Sequence, residues 1–240
     1  MGNRSQKEDN KEYQENFPDP LLLPEDTCIL ACRAMAPELT ALGIRTHQLY
    51  LLDQELHRYP ERLNFEIART LGELELKKEI NRAILVYGYC GGGLEGITTQ
   101  RIELVIPLIH DCIPLLTGNS QTGETPAIGG GFYLSPGWIE HGLTPYTEFF
   151  STCERFGQED AMWICQEMLK SYTEVVLVET VAGITDKHRR YAVDMAKLFG
   201  LSYREIKGRE KMLRDLITVR LGANILSIRP GETIRADLFR

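Results

Sequence analysis

No stretch of about 18 consecutive apolar residues occurs among the 240 residues, so no transmembrane helix is expected. Residues 1–18 hold no apolar segment of the signal-peptide kind, which points to a cytosolic (cytoplasmic) chain. Position six carries Gln6 rather than the Ser or Thr that a myristoylated Met-Gly terminus wants. Positive charge is in deficit. The 27 Lys and Arg against 34 Asp and Glu leave a net charge of −7, which speaks against nucleic acid and against an anionic membrane surface. There is no CxxC pair, so a zinc ribbon and a thioredoxin motif are excluded. Walker A, GxSxG and HExxH are absent too, and with them the case for a P-loop NTPase, a serine hydrolase or a zincin. The GxGxxG dinucleotide fingerprint is missing at the first expected strand, where Cys32-Arg-Ala-Met-Ala follows instead. Low-complexity segments and short solenoid repeats do not occur.

What is present reads as an ordinary globular chain. With 43% hydrophobic and 25% charged residues it cannot be disordered throughout, and its length allows one large domain or two small ones. Residues 1–24 are polar and read as a flexible tail. From residue 27 onward short apolar runs alternate with helical segments. Strands are expected at 27–32, 47–52, 82–87, 103–107, 174–179, 202–206 and 224–228. Helices are expected at 36–42, 60–81, 112–116, within 146–170, and at 187–199 and 209–216. Residues 119–131 read as a Gly-rich loop or lid, and 132–143 as a short aromatic stretch. Strands separated by helices imply an α/β fold with a mainly parallel sheet or sheets. The strand runs are apolar throughout, as they are when both sheet faces are covered. The two halves echo one another. This predicts two Rossmann-like halves, 25–145 and 146–240, with a cleft at the carboxyl ends of the strands.

The six cysteines then divide. Cys32 ends the first strand, Cys90 follows the third within Tyr87-Gly-Tyr-Cys-Gly-Gly-Gly, and Cys112 follows the fourth within His110-Asp-Cys. In a parallel sheet all such ends share one rim, where ligands bind. Three thiols remote in sequence are therefore expected to converge as metal ligands. A free cysteine often only fills core space, and Cys28, Cys153 and Cys165 are set aside as packing of that kind. Three thiolates suit a zinc with one open position, or a cubane cluster with one exposed iron, and zinc is favoured over iron–sulfur. His110 is a candidate fourth ligand or a donor to a thiolate. Gly91, Gly92 and Gly93 offer close backbone approach and an anion nest, or simply a tight turn. Trp138, Glu140 and His141 are candidate cover for the site, although Pro136 marks a plain helix start and that reading is preferred. Tyr87 and Tyr133 are candidate hydroxyl donors, and Glu179 and Thr180 end a strand facing the same cleft.

Cys32, the Tyr-Gly-Tyr-Cys-Gly loop, Pro107-x-x-His-Asp-Cys112 and Tyr133-Leu-x-Pro-Gly-Trp-Ile-Glu140 together give the chain a resemblance to a family. It resembles an uncharacterised domain-of-unknown-function family of anaerobic bacteria and archaea, often encoded beside corrinoid proteins and corrinoid-dependent methyltransferases. The resemblance runs from about residue 28 to 228. It implies a place in anaerobic one-carbon or methyl-group metabolism, with a corrinoid protein or methyltransferase as partner and a small thiol or methylated compound as substrate. It supplies no reaction. Three functions are open: a zinc protein that activates a thiol for methyl transfer, an iron–sulfur protein for electron delivery or corrinoid reactivation, and a non-catalytic accessory that docks a corrinoid protein.

Overall fold

A computed structural model describes residues 20–118 and 130–239. Most of the expected tail and of the loop 119–131 lies outside the described residues. Strands β1 (Thr27–Cys32), β2 (Leu49–Leu52), β3 (Arg82–Val86), β4 (Glu103–Pro107) and β8 (Ile225–Ile228) form a sheet in the order β2-β1-β3-β4-β8. All its pairings are parallel except β4 with β8, which is antiparallel. A second sheet, wholly parallel, takes β5 (Gly131–Leu134), β6 (Glu174–Glu179) and β7 (Ser202–Lys207) in that order. The helices are α1 (Ala36–Ala41), α2 (Pro60–Glu75), α3 (Ile113–Thr117), α4 (Pro136–His141), α5 (Pro145–Phe156), α6 (Gln158–Leu169), α7 (Asp186–Phe199) and α8 (Lys211–Ile217). The fold is α/β, with two mostly parallel sheets. Among the described residues no helix is long and apolar enough to cross a membrane.

Burial follows from strand position. The central β1 is buried at all six residues, and its TCILAC run is apolar on both faces for that reason. At the edge, β7 (SYREIK) is half exposed, and Arg204 pairs there with Glu174 at 2.7 Å. Charges on such a strand protect an open edge. The second sheet shows period-two alternation. Tyr133, Val176 and Val178 join the core of the first sheet, whereas Leu134, Val175 and Leu177 pack with residues of α5, α6 and α7.

Two stretches differ from the sequence expectation and the expected helices within 146–170 are divided at one residue, each for a local reason. The helix expected over 60–81 stops at Glu75 because Arg101 donates from its guanidinium to the carbonyls of Leu74, Glu75, Lys77 and Ile80. Those groups close the helix end that would otherwise lack partners. The segment 146–170 divides at Gly157, whose φ of 88° breaks the helix. The aromatic stretch at 132–143 holds a strand, β5, and then α4, where the Ser135 side chain accepts from Trp138 N ahead of Pro136. The sheets therefore divide the chain elsewhere than at 145/146. β5 already belongs to the second sheet, and α8 and β8 return to the first.

The contact between the two sheets holds a buried acid. Glu38 of α1 is 1% exposed, and its Oε1 accepts from Thr180 Oγ1 at 2.8 Å at the end of β6. Burial foremost pushes its carboxyl from the ordinary 4.5 up to about 7; nearby Glu140 adds to this and the Thr180 hydrogen bond opposes it. The folded state thus keeps a proton that the unfolded chain has released, and stability falls as pH rises between these two values. At about 1.36 kcal/mol per pKa unit the full penalty above this window is ~3 kcal/mol. Glu38→Gln is expected to flatten the dependence. Urea melts should show the variant more stable than wild type near pH ~8 and about equal to it near pH ~4.

Candidate metal centre

In the first sheet the strand order reverses between β1 and β3. A parallel sheet opens a crevice outside its strand carboxyl ends at such a point. Each of the four parallel strands sends one soft or imidazole side chain there: Cys32 from the end of β1, His57 after β2, Cys90 after β3 and Cys112 after β4. The ligand atoms of His57, Cys90 and Cys112 all lie within 4.8 Å of one another. A cavity of about 290 Å³ opens over them, walled also by Cys32, Met35, Gln54, Asp111, Ile113, Tyr133, Ser135, Trp138 and Tyr172.

The loops that carry the two thiols are laced together. Tyr89 N donates to Ile109 O and Cys90 N to His110 O, both at 2.8 Å. Cys90 is held at a φ of 49°, left-handed backbone that a non-glycine residue seldom adopts. Such strain costs on the order of 1–3 kcal/mol and persists where the surroundings enforce it, most often at functional sites. His57 is fixed from the other side. Its Nδ1 lies 3.0 Å from the Gln54 carbonyl. A carbonyl only accepts, so Nδ1 carries a proton, and Nε2 is the nitrogen left to face Cys112 or, once deprotonated, a metal. The ring also stacks on Tyr87, with centroids 5.9 Å apart.

Electrostatics divide the thiols. The Cys90 thiol donates toward Cys112 and, with His57 beside it, holds Cys112 well below the usual thiol range against the opposing effect of burial. Cys90 is driven upward in turn, first by that same hydrogen bond and then by burial. For His57, burial alone pulls the ring downward, but Cys112 and the Gln54 carbonyl outweigh it and the net shift is upward. One negative charge thus sits between two hydrogen-bonding neighbours, the state from which a soft cation displaces protons. Cys32 differs. Burial foremost, and then the nearby Cys112 charge, push its thiol up to about 12, so it lines the cavity as a neutral group.

The donor set fits a tetrahedral metal. Zinc–ligand lengths of about 2.0–2.3 Å place three tetrahedral donors roughly 3.5–3.8 Å apart, which a group already within 4.8 Å reaches by small side-chain shifts. Two sulfurs and one imidazole would leave a fourth position toward the cavity.

Of the residues picked from sequence, Cys90 and Cys112 come together and Cys32 joins them on the cavity wall without entering the ligand group. His110 does not join. It is exposed, and it serves through its carbonyl, which accepts from Cys90 N. The glycine run does not line the cavity either. Gly92 N and Gly93 N donate to Tyr89 O and Cys90 O, and a Cβ at Gly93 would lie 2.7 Å from Leu63 of α2. These amides close the turn and seat it on α2 rather than form an anion nest. Trp138 lines the cavity. Glu140 turns away to His188, 3.0 Å distant, and Tyr87 is buried behind His57. Thr180 holds Glu38, and Glu179 is exposed. Cys28 and Cys165 are core residues and Cys153 packs beside the second core.

His57 is the residue that sequence reading passed over. The rule that selected the cysteines would have found it, since it stands five residues past the end of β2 at the same rim. No curated protein and no solved structure matches the chain. A family model spans residues 51–217, a stretch that includes His57, Cys90 and Cys112 and leaves Cys32 outside. That model is described as "Protein of unknown function (DUF1638)"; it covers well over half of the sequence, and the chain belongs to this family.

Proposed function

We propose that the protein is a zinc protein of corrinoid-linked methyl-group metabolism, with His57, Cys90 and Cys112 as ligands and the adjoining cavity as substrate site. The observation that carries this reading is the convergence of one imidazole and two thiols within 4.8 Å at the floor of a cavity. His57, Cys90 and Cys112 would hold the zinc, which would supply the Lewis acidity that lowers the pKa of a substrate thiol for methyl transfer. The chain's own groups do the rest. Gln54 orients the imidazole, the His110 carbonyl fixes the Cys90 loop, and the apolar walls exclude water. The donor set favours zinc over an iron–sulfur cluster, because a cubane is held by cysteine thiolates and only two are present in the group. The corrinoid protein as partner rests on the family resemblance alone.

The test is metal analysis of protein purified without oxygen. About one zinc per chain in a colourless protein is expected. Broad visible absorbance with iron and sulfide would replace zinc by a cluster. Metal-free protein whose thiols react slowly would remove both, and leave the accessory protein that docks a corrinoid partner.

A further inference from the structure

The walls of the cavity carry a message that the ligands do not. Three aromatic residues line it: Tyr133 from β5, Trp138 from α4 and Tyr172 from the turn after α6. Tyr133 is 6% exposed and Tyr172 36%, so one lies deep and the other at the mouth. No Lys or Arg is among the described lining residues, whereas Asp111 is. Asp111 is held in place, its Oδ1 accepting from Ile113 N at 2.8 Å at the start of α3. Arg204, the cation close to Tyr133, is engaged by Glu174 through contacts of 2.7 and 3.0 Å.

The charges can be counted. Two thiolates offset a divalent ion, and His57 is neutral as a ligand. Among the described lining residues the carboxylate of Asp111 is then the one uncompensated charge. An anionic ligand would meet that carboxylate with no basic side chain to pair with, which desolvation makes costly. A cation meets a carboxylate and three aromatic side chains. Aromatic faces attract cations through their quadrupole, and the gain is largest for onium groups, whose methyl coat makes them cheap to desolvate. The volume of about 290 Å³ is at the small end for ligand sites and suits a compact molecule.

We infer that the cavity binds a small methylated onium cation, with Tyr133, Trp138 and Tyr172 as its aromatic walls and Asp111 as its counter-charge. The inference rests on the reading of His57, Cys90 and Cys112 as the metal ligands, and it gives the methyl-bearing substrate of that reading a chemical class. An ammonium and a sulfonium share this chemistry.

Isothermal titration of the full chain, with its zinc content measured on the same sample, tests it. Choline is compared with 3,3-dimethylbutan-1-ol, its uncharged isostere, and tetramethylammonium with trimethylsulfonium. Choline is expected to bind at least about tenfold more tightly than the isostere. The second pair decides which onium centre is preferred. Trp138→Leu, Tyr172→Leu and Asp111→Asn should each weaken choline about three- to tenfold with zinc content unchanged. Equal affinity for choline and the isostere would overturn the proposal, as would zinc-loaded protein that binds neither cation. Onium binding by protein that holds no metal would instead overturn the zinc reading and leave the aromatic site standing.

Discussion

Cys112→Ser is expected to lower the affinity of the protein for zinc by on the order of a thousandfold. Structural zinc sites bind with about 10–16 kcal/mol shared over their ligands, so one lost thiolate removes several kcal/mol, at about 1.4 kcal/mol per tenfold. Cys112 carries more of this than its neighbours. It is the thiol that both Cys90 and His57 hold in the ionised form, and it is the shared partner of the group. Competition against a chromophoric chelator measures the change. Two controls give the result its meaning. Cys32→Ser should leave zinc affinity within about threefold of wild type, because that thiol is neutral and outside the ligand group. His110→Ala should do the same, since its contribution is a backbone carbonyl that alanine retains. A fall with His110→Ala as large as that with Cys112→Ser would return the imidazole at 110 to the ligand set and displace His57.

The contrast between His110 and His57 shows what a sequence can and cannot tell about such a site. Strand ends are legible, because buried parallel strands are apolar runs bounded by turn residues, and their carboxyl ends share a rim by topology. That was enough to bring Cys90 and Cys112 together. Which way a side chain points after a strand has ended is not legible. His110 and Cys112 are two residues apart on one irregular turn, and the backbone bond from Cys90 N to His110 O decides that the thiol faces in and the imidazole out. His57 was hidden for a related reason. It lies in a 3-10 turn between β2 and α2, with no motif around it, and its partner Gln54 is a backbone carbonyl that any residue could supply. The three glycines misled in the opposite direction. Their composition is that of an anion nest, but Pro60 and Leu63 of α2 press against Gly91 and Gly93, and packing against a helix uses the same missing side chain as ligand approach does. The four-residue β5 escaped because it is short and follows a glycine run, although its Tyr133 and Leu134 already alternate between two cores.

Gly88→Ala is expected to be severely damaging at the junction of the two ligand loops. Gly88 links β3 to the Cys90 turn, and a Cβ there would lie 2.7 Å from both the N and the Cα of Asp111 and 2.8 Å from its carbonyl carbon. All three are backbone atoms, so no side-chain rotation relieves the overlap. The loops must separate, and the bonds from Tyr89 N to Ile109 O and from Cys90 N to His110 O stretch or break as they do. Overpacking of this kind costs about 1–3 kcal/mol where side chains can yield, and rigid backbone places the expected loss at or above the upper end, about 4 kcal/mol. The same displacement moves Cys90 and Cys112, which sit on the two loops, away from each other, so bound zinc should fall well below one per chain. Gly72→Ala is the control, since it lies within α2 with open space around it and alanine favours the helix by roughly 0.5–1 kcal/mol. Urea melts and zinc content measured on both variants separate a general dislike of alanine from a defect at the junction. A Gly88→Ala protein that kept both wild-type stability and full zinc would mean that the two ligand loops do not hold each other in place.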